Sequence, residues 1–300
     1  MTASLPISVL LAAKNEEANI RKCLSSVAPA QEVYVIDSRS NDDMARIAGD
    51  EFDAQVVQFD YTGGYPKKRQ WALDTIDFGN EWILLLDADE EVPQELWREI
   101  ERVIGKAGNC DAYLIRKGFH FLGKKFRFGG FSHSALVLIK KGKCRFEELV
   151  EDVSTGLDME VHERVIVDGT VGVLKTALIH EDFKGLDAYL DRHNKYSTWE
   201  ARLRFYNKKN MAYGSDAIRP RLFGNAQERR RFLKQIVVRV PFEPLVWFVY
   251  HYFFKLGFLE GRPGFIACRI RSAYIAQVRS KLFELELAEK VETRKPGRIG

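Results

Sequence analysis

Two aspartates one residue apart, Asp87 and Asp89, directly follow the apolar run Trp82–Leu86. A buried strand that ends in alternating carboxylates delivers hard oxygen ligands to the rim of a sheet. There Mg2+ or Mn2+ is held by one or two carboxylates together with substrate phosphate oxygens, the arrangement a nucleoside diphosphate requires. The competing use of Asp-Ala-Asp-Glu-Glu is a polar loop ahead of the helix that begins near Pro93, and Glu90 and Glu91 are expected to serve that helix start. Asp37 at the end of Glu32–Ile36 and Glu16 just after Ile7–Ala13 repeat the pattern. Three successive strands are therefore expected to carry a carboxylate to one edge.

The elements that must position these groups alternate. Ile7–Ala13, Glu32–Ile36, Ala54–Phe59 and Trp82–Leu86 read as strands, interleaved with helical patterns over Glu16–Val27, Asp42–Gly49, Lys67–Ile76 and Pro93–Ile104. Fully apolar strands separated by helices of about ten residues imply an α/β fold with a mostly parallel sheet flanked by helices. Ligands of such sheets bind at the carboxyl ends of the strands. From about 110 to 180 mixed strands follow, over Ala112–Arg116, Ser134–Ile139, Val165–Val167 and Leu174–Ile179. Beyond Gly185 the pattern is helical: a long polar segment to Asn210, then Gln227–Val240, Leu245–Phe258 and Phe265–Ala288. Two domains are expected, 1–184 and 185–300.

Charge divides the chain at the same place. Residues 181–300 carry 24 Lys+Arg against 13 Asp+Glu, a balance of +11, and residues 1–180 carry 22 against 29, or −7. A catalytic front joined to a part that meets an anionic surface fits this asymmetry. With 46% apolar, 29% charged and 12% aromatic residues in 300, the chain is neither disordered nor fibrous. The four cysteines form no Cys-x-x-Cys pair and no zinc spacing, so a reducing compartment is expected. The N-terminus lacks a basic start and a cleavage site, so a cytoplasmic location is expected.

Three segments in order resemble glycosyltransferase family 2, nucleotide-sugar-dependent inverting transferases of the GT-A fold. They are Val-Leu-Leu-Ala-Ala-Lys-Asn-Glu-Glu (9–17), Val-Tyr-Val-Ile-Asp-Ser-Arg-Ser-Asn-Asp (33–42) and Leu-Leu-Leu-Asp-Ala-Asp-Glu (84–90). The resemblance covers roughly residues 5–185. It implies nucleotide binding by Ala13, Asn15, Glu16, Asp37, Arg69, Asp87 and Ala88, with Glu16 and Asp37 on the base and ribose. It places Asp89 and His180 on a divalent cation, Mn2+ or Mg2+. Arg39 stands where the family usually has glycine. Phe128-Gly129-Gly130-Phe131 resembles the glycine-containing loop near the sugar, so Gly129 and Gly130 are assigned to the acceptor side. Val161-His162-Glu163-Arg164 falls at the family's acidic segment, with His-Glu in place of Glu-Asp.

The implied chemistry needs no protein nucleophile. The departing diphosphate is stabilised by the cation, and one carboxylate takes the proton of the attacking acceptor hydroxyl. Glu163 is the expected base, with Asp152 in reserve, and His162 beside it is expected either to position the acceptor or to serve as a weaker base.

In the back end, Gln227–Val240 has one apolar and one basic face, and Pro244–Phe254 is an eleven-residue stretch without Lys, Arg, Asp or Glu. A membrane-spanning helix needs about 20 residues, so residues 225–285 are expected to lie at an anionic membrane surface, with Trp247, Tyr250 and Tyr252 at the boundary. The alternative use of these helices is as an ordinary core pair or a homodimer contact. The tail resembles that of bacterial lipopolysaccharide-core β-glucosyltransferases, including Phe-Leu-Glu-Gly-Arg-Pro-Gly (258–264). That implies a UDP-hexose donor, a lipid-linked saccharide acceptor and a peripheral position on the inner face of the plasma membrane.

Other classes fit less well. A nicotinamide or flavin enzyme should show Gly-x-Gly-x-x-Gly after the first strand, where this chain has Ala-Ala-Lys-Asn-Glu-Glu. A sugar nucleotidyltransferase needs a glycine-rich basic loop there. A non-enzymatic membrane or nucleic-acid-binding module leaves Glu16, Asp37, Asp87 and Asp89 without purpose, and no nucleic-acid partner is expected.

Overall fold

The computed structural model describes residues 4–106, 108, 110–148, 158, 160, 164–181, 184–208, 221–224, 228, 229, 232, 240 and 242–294. The chain divides into two compact units. One is formed by Met1–Glu147 and Gly156–Lys184, and the other contains Gly185–Gly300.

The first unit is built on a ten-stranded mixed sheet. Its opening strands are β1 (Leu5–Ala13), β2 (Ala30–Asp37), β3 (Gln55–Gln58) and β4 (Trp82–Asp87), linked through helices α1 (Glu17–Ser26), α2 (Met44–Phe52) and α3 (Lys68–Thr75). All four run parallel in the order β3-β2-β1-β4. The chain winds outward from β1 to β3 and then returns to place β4 on the other side of β1. That reversal is a topological switch point, where the crossover helices leave a crevice at the strand carboxyl ends. Ile7 and Val9 through Leu11 in β1, and Ile83, Leu84 and Leu86 in β4, are at most 1% exposed, as central strands covered on both faces should be.

Beyond β4 the sheet changes direction. After β5 (Glu90–Glu91) and α4 (Gln94–Ile104) come β6 (Ala112–Phe121), β7 (Lys124–Lys125) and β8 (His133–Lys140). β8 pairs antiparallel with β4 and with β6. The short β9 (Cys144–Phe146) and β10 (Val165–Val167) form a separate antiparallel pair. β11 (Val171–Val173) and β12 (Leu178–His180) lie parallel to β6, and β12 also pairs antiparallel with β5. Of the single strand expected over Leu174–Ile179 only Leu178 and Ile179 lie in a strand, β12; β11 precedes that span, and the Leu174 amide extends its pairing with β6 to the Leu114 carbonyl.

The expected role of Glu90 and Glu91 at the α4 start is not what forms. Both lie in β5, and the residue ahead of α4 is Pro93, with no side-chain cap. Glu90 is fully buried and Glu91 pairs with Lys22 at 2.7 Å.

The second unit contains α5 (Gly185–Lys208), α6 (Glu243–Val249) and α7 (Gly261–Arg294). Its small core packs Ala201, Tyr274, Ile275 and Val278 together. Gln227–Val240 lies almost wholly outside the described residues. The single helix expected over Leu245–Phe258 is instead α6, a π-helical turn at Tyr250–Phe254 and a 3-10 turn at Gly257–Glu260. Leu256, at φ +59, breaks the helical run between the two turns. Among the described residues no helix is long and apolar enough to cross a membrane.

An ion-pair network ties this unit. Arg204 of α5 reaches Glu200 and, from α6, Glu243, both at 2.9 Å, while Tyr274 of α7 donates to Glu200 at 2.7 Å. Close by, His193 stacks on Tyr189 at 4.0 Å and donates from Nδ1 to the Tyr189 carbonyl at 2.8 Å. Burial, with the Arg192 and Arg271 charges adding to it, pushes the His193 ring down to about 4 from its ordinary 6.5. Protonation therefore favours the unfolded chain. The contribution is whole above pH about 6.5 and is lost as pH falls toward 4. Urea denaturation across this window should show less acid destabilisation in His193→Gln than in the natural chain.

Candidate functional site

The switch point fixes where the strand-end carboxylates sit. In register, Ala13 faces Asp37 across β1 and β2, and Ala12 faces Asp87 across β1 and β4. Three neighbouring strands thus end within one residue of each other.

Asp37 is 2% exposed and spends both oxygens inside the protein. Oδ1 accepts from the Ser40 amide at 3.0 Å and the Ser40 hydroxyl at 2.5 Å, and Oδ2 accepts from Gln58 at 3.0 Å. Ser40 Oγ in turn accepts the Asn15 amide at 2.9 Å, and the Asn15 side chain accepts the Asn41 amide at 2.9 Å. Asp37 and Asn15, expected to touch the nucleotide, are here the pins that lock the loop after β1 to the loop after β2. Arg39, in the glycine position, adopts φ +54, the left-handed conformation that position demands, and forks onto Asp60 with two bonds of 2.7 Å.

The first carboxylate of the aspartate pair is committed to two cations. Asp87 accepts from Arg69 Nη2 through Oδ1 and from Lys117 Nζ at 2.9 Å through Oδ2. Lys117 also reaches Glu90 Oε1 at 2.7 Å, and the other Glu90 oxygen accepts the Asp87 amide at 3.0 Å. Burial alone would raise the Asp87 carboxyl, but the Arg69 and Lys117 charges overcome it and hold the group well below the usual carboxylate range. Glu90 is pushed up, chiefly by its burial. Ala88, between the two aspartates, is 3% exposed and packs into the core.

Asp89 faces His180. His180 Nε2 lies 3.2 Å from Asp89 Oδ2, and the backbone reinforces the pair, since the Glu181 amide donates to the Asp89 carbonyl at 3.1 Å. Burial opposes charge on the ring, yet the Asp89 hydrogen bond and charge prevail and push His180 up to about 9. The two expected cation ligands are therefore together. Among the described residues no cluster of three His, Cys, Asp or Glu side chains is arranged to hold a metal. One carboxylate and one imidazole at an accessible rim fit a Mg2+ or Mn2+ whose remaining positions are filled by diphosphate oxygens and water.

Glu16 completes this edge. Its Oε1 accepts from Lys184 at 2.6 Å and its Oε2 from Asn19 at 2.7 Å. Burial, with a contribution from the Asp89 charge, raises its carboxyl despite both donors. Gly129 and Gly130, at φ +82 and +67, form a turn beside β6. The next residue, Phe131, stacks on Phe119 at 5.1 Å, and Phe119 is in register with His180. Asp152, His162 and Glu163 lie outside the described residues.

Three buried groups, Lys68, Glu160 and Lys117, and the half-buried Lys184 escaped sequence reasoning. Lys68 is 1% exposed and donates to the Ala13 carbonyl at 2.8 Å, with Asp158 at 3.2 Å. Burial lowers its ammonium despite Asp158. Glu160 accepts the Arg69 and Gln70 amides at 3.1 and 2.9 Å, satisfying the start of α3 from a distant segment. Lys117 and Lys184 sit in stretches without a motif. A lysine at a helix start or in an amphipathic strand looks solvated, and only the tertiary fold reveals its carboxylate partner.

Paired aspartates and a facing histidine thus share the strand-end rim of a doubly wound sheet. Residues 8–130 match the family model described as Glycosyl transferase family 2. The lipopolysaccharide core biosynthesis glycosyltransferase LpsC of Rhizobium meliloti (strain 1021) is 27% identical over 295 residues, covering 95% of this chain and 94% of its own. The uncharacterized glycosyltransferase RT0209 of Rickettsia typhi (strain ATCC VR-144 / Wilmington) is 28% identical, covering 87% of this chain and 80% of its own. The solved structure of TarS 1-349 from S. aureus is 15% identical, covers 95% of this chain and 92% of that one, and superposes with a TM-score of 0.39.

Lys117→Met strands Glu90 without its cation and leaves Asp87 to Arg69 alone. Breaking such a buried cluster from one side costs about 3–5 kcal/mol, readable by urea denaturation. Glu90→Gln in the same chain should recover part of the loss.

Proposed function

We propose that this chain is a family 2 glycosyltransferase, an inverting hexosyltransferase that moves a hexose from a UDP-sugar to a lipid-linked saccharide of the lipopolysaccharide-core kind. It works peripherally on the inner face of the plasma membrane. The observation that carries the reading is the Asp89–His180 pair at the switch point, flanked by Asp87 and Glu16. The end-to-end similarity to LpsC supports the acceptor class.

In this reading Asp89 and His180 hold Mn2+ or Mg2+, which when bound neutralises charge on the departing diphosphate. Asp87 stays with Arg69 and Lys117, and its service to the donor is to fix the turn that aims Asp89. Asn15, Asp37 and Ser40 hold the two loops that border the nucleoside, and Ala13 is held by Lys68. Glu16 is the ribose or base contact, which requires Lys184 to yield its place on Oε1. Glu163 takes the proton of the acceptor hydroxyl as its oxygen bonds to the anomeric carbon and the bond to the diphosphate breaks. Asp152 is the reserve base and His162 orients the acceptor, with Gly129 and Gly130 on the acceptor side. Inversion follows because the hydroxyl enters opposite the leaving group.

Incubation with UDP-glucose and Mn2+ should release UDP, and absence of any nucleotide binding would overturn the assignment. Asp89→Asn should weaken Mn2+-dependent UDP binding at least about tenfold in calorimetry, the scale of one lost charge-assisted contact. An unchanged metal requirement contradicts its role. Glu163→Gln should leave UDP binding intact and lower transfer by about 10²–10⁴; full turnover in that variant moves the base elsewhere.

A further inference from the structure

The second unit turns a run of apolar side chains to water between Phe242 and Phe265. Phe242, Leu245, Phe253, Phe254 and Leu259 are each more than half exposed, Phe242 at 77% and Phe254 at 76%. Phe242 and Leu256 also hold left-handed backbone, at φ +60 and +59. That conformation costs a non-glycine residue about 1–2 kcal/mol, and here it sets bulky apolar side chains outward. Strain of this kind persists where the surroundings over-determine it and clusters at functional sites.

The segment is built tightly enough to hold that display. A Cβ on Gly257 would come within 2.7 Å of the His251 carbonyl, and one on Gly264 would overlap the Gly257 carbonyl. Two chain segments therefore touch backbone to backbone across the Phe-Leu-Glu-Gly-Arg-Pro-Gly motif. Behind it, Phe248, Tyr252 and Phe265 pack ring on ring at 5.3 to 6.0 Å.

Charge selects the occupant of this face. From 242 to 283 the chain has two acids, Glu243 and Glu260, against six cations, Lys255, Arg262, Arg269, Arg271, Arg279 and Lys281. Both acids are withdrawn from solvent: Glu243 is fully buried against Arg204, and Glu260 is 3% exposed. Lys255, Arg262 and Arg269 are exposed among the apolar side chains. A second copy of this chain would bring like charges face to face. A bilayer with anionic headgroups accepts both features at once, apolar groups at the acyl boundary and cations among the phosphates.

We infer that the π-helical turn, the 3-10 turn and the start of α7 form a monotopic anchor. It seats Phe253, Phe254 and Leu256 in one leaflet of an anionic bilayer, with Lys255 and Arg262 at the headgroups. This deepens the membrane reading above and rests on it, because it names the surface that meets the lipid and its depth-setting residues.

The full chain is mixed with phosphatidylcholine vesicles, with and without phosphatidylglycerol, and the bound fraction is read by co-sedimentation. UDP binding is measured on the same samples without vesicles. The natural chain should bind phosphatidylglycerol vesicles. Phe253→Ser with Phe254→Ser should lose about tenfold or more of that binding, given the apolar area withdrawn. Lys255→Glu with Arg262→Glu should lose a similar factor, shrinking as salt is added. Retained UDP binding shows that these surface variants are folded. Failure of the natural chain to bind phosphatidylglycerol vesicles, or serine-variant binding equal to it, overturns the anchor. So does a dimer in light scattering that the serine variant abolishes when the natural chain does not bind vesicles. Vesicle binding without UDP binding strikes the transferase reading and leaves the anchor; the reverse pattern strikes the anchor alone.

Discussion

The site depends on one buried arrangement of charge: Asp87 gripped from two sides by Arg69 and Lys117, with Glu90 closing the far side of the lysine. Two carboxylates on one short turn would repel each other and dissolve into solvent if left alone. Sharing the first with two cations fixes the turn and leaves the second, Asp89, to His180. The arginine arrives from α3, the lysine from β6 and Glu90 from β5. Removal of any one leaves a charge in a medium that does not solvate it.

Local backbone economy serves the same end. The loops after β1 and β2 contain no glycine at their left-handed positions, where Asn15 and Arg39 stand instead. Their geometry is held by hydrogen bonds that run from Asp37 through Ser40 to Asn15 and Asn41. These polar groups lie at the surface crevice yet are largely used up within the protein. Rigidity at this rim is thus built from side-chain bonds between loops, with the strands supplying only the platform.

The alternating front half was legible because period and composition coincide there: apolar runs bounded by polar residues admit few readings, and the four parallel strands lie where the pattern puts them. The meeting of Asp89 with His180 was legible through motif order. The partners of Asp87 were not, because Lys117 lies thirty residues away in an alternating strand, and nothing local distinguishes it from a solvated lysine. Glu90 misled for the complementary reason. An acid ahead of a helix looks like a cap, and its true environment is set by β12 pairing with β5. In the back half, an apolar stretch of helical composition concealed the break at Leu256, since left-handed backbone at a leucine has no sequence signal.

β12 is three residues long, yet it bonds to β6 on one side and to β5 on the other. His180 lies on it, and the amide that follows grips the Asp89 carbonyl. Imidazole and carboxylate are thereby tied together at the sheet margin, the one on β12 and the other on the turn just ahead of β5. A fluctuation that peels β12 away takes His180 from Asp89 and breaks the Glu181–Asp89 backbone bond with it, so the pairing of imidazole and carboxylate lasts only as long as three residues of strand stay in place.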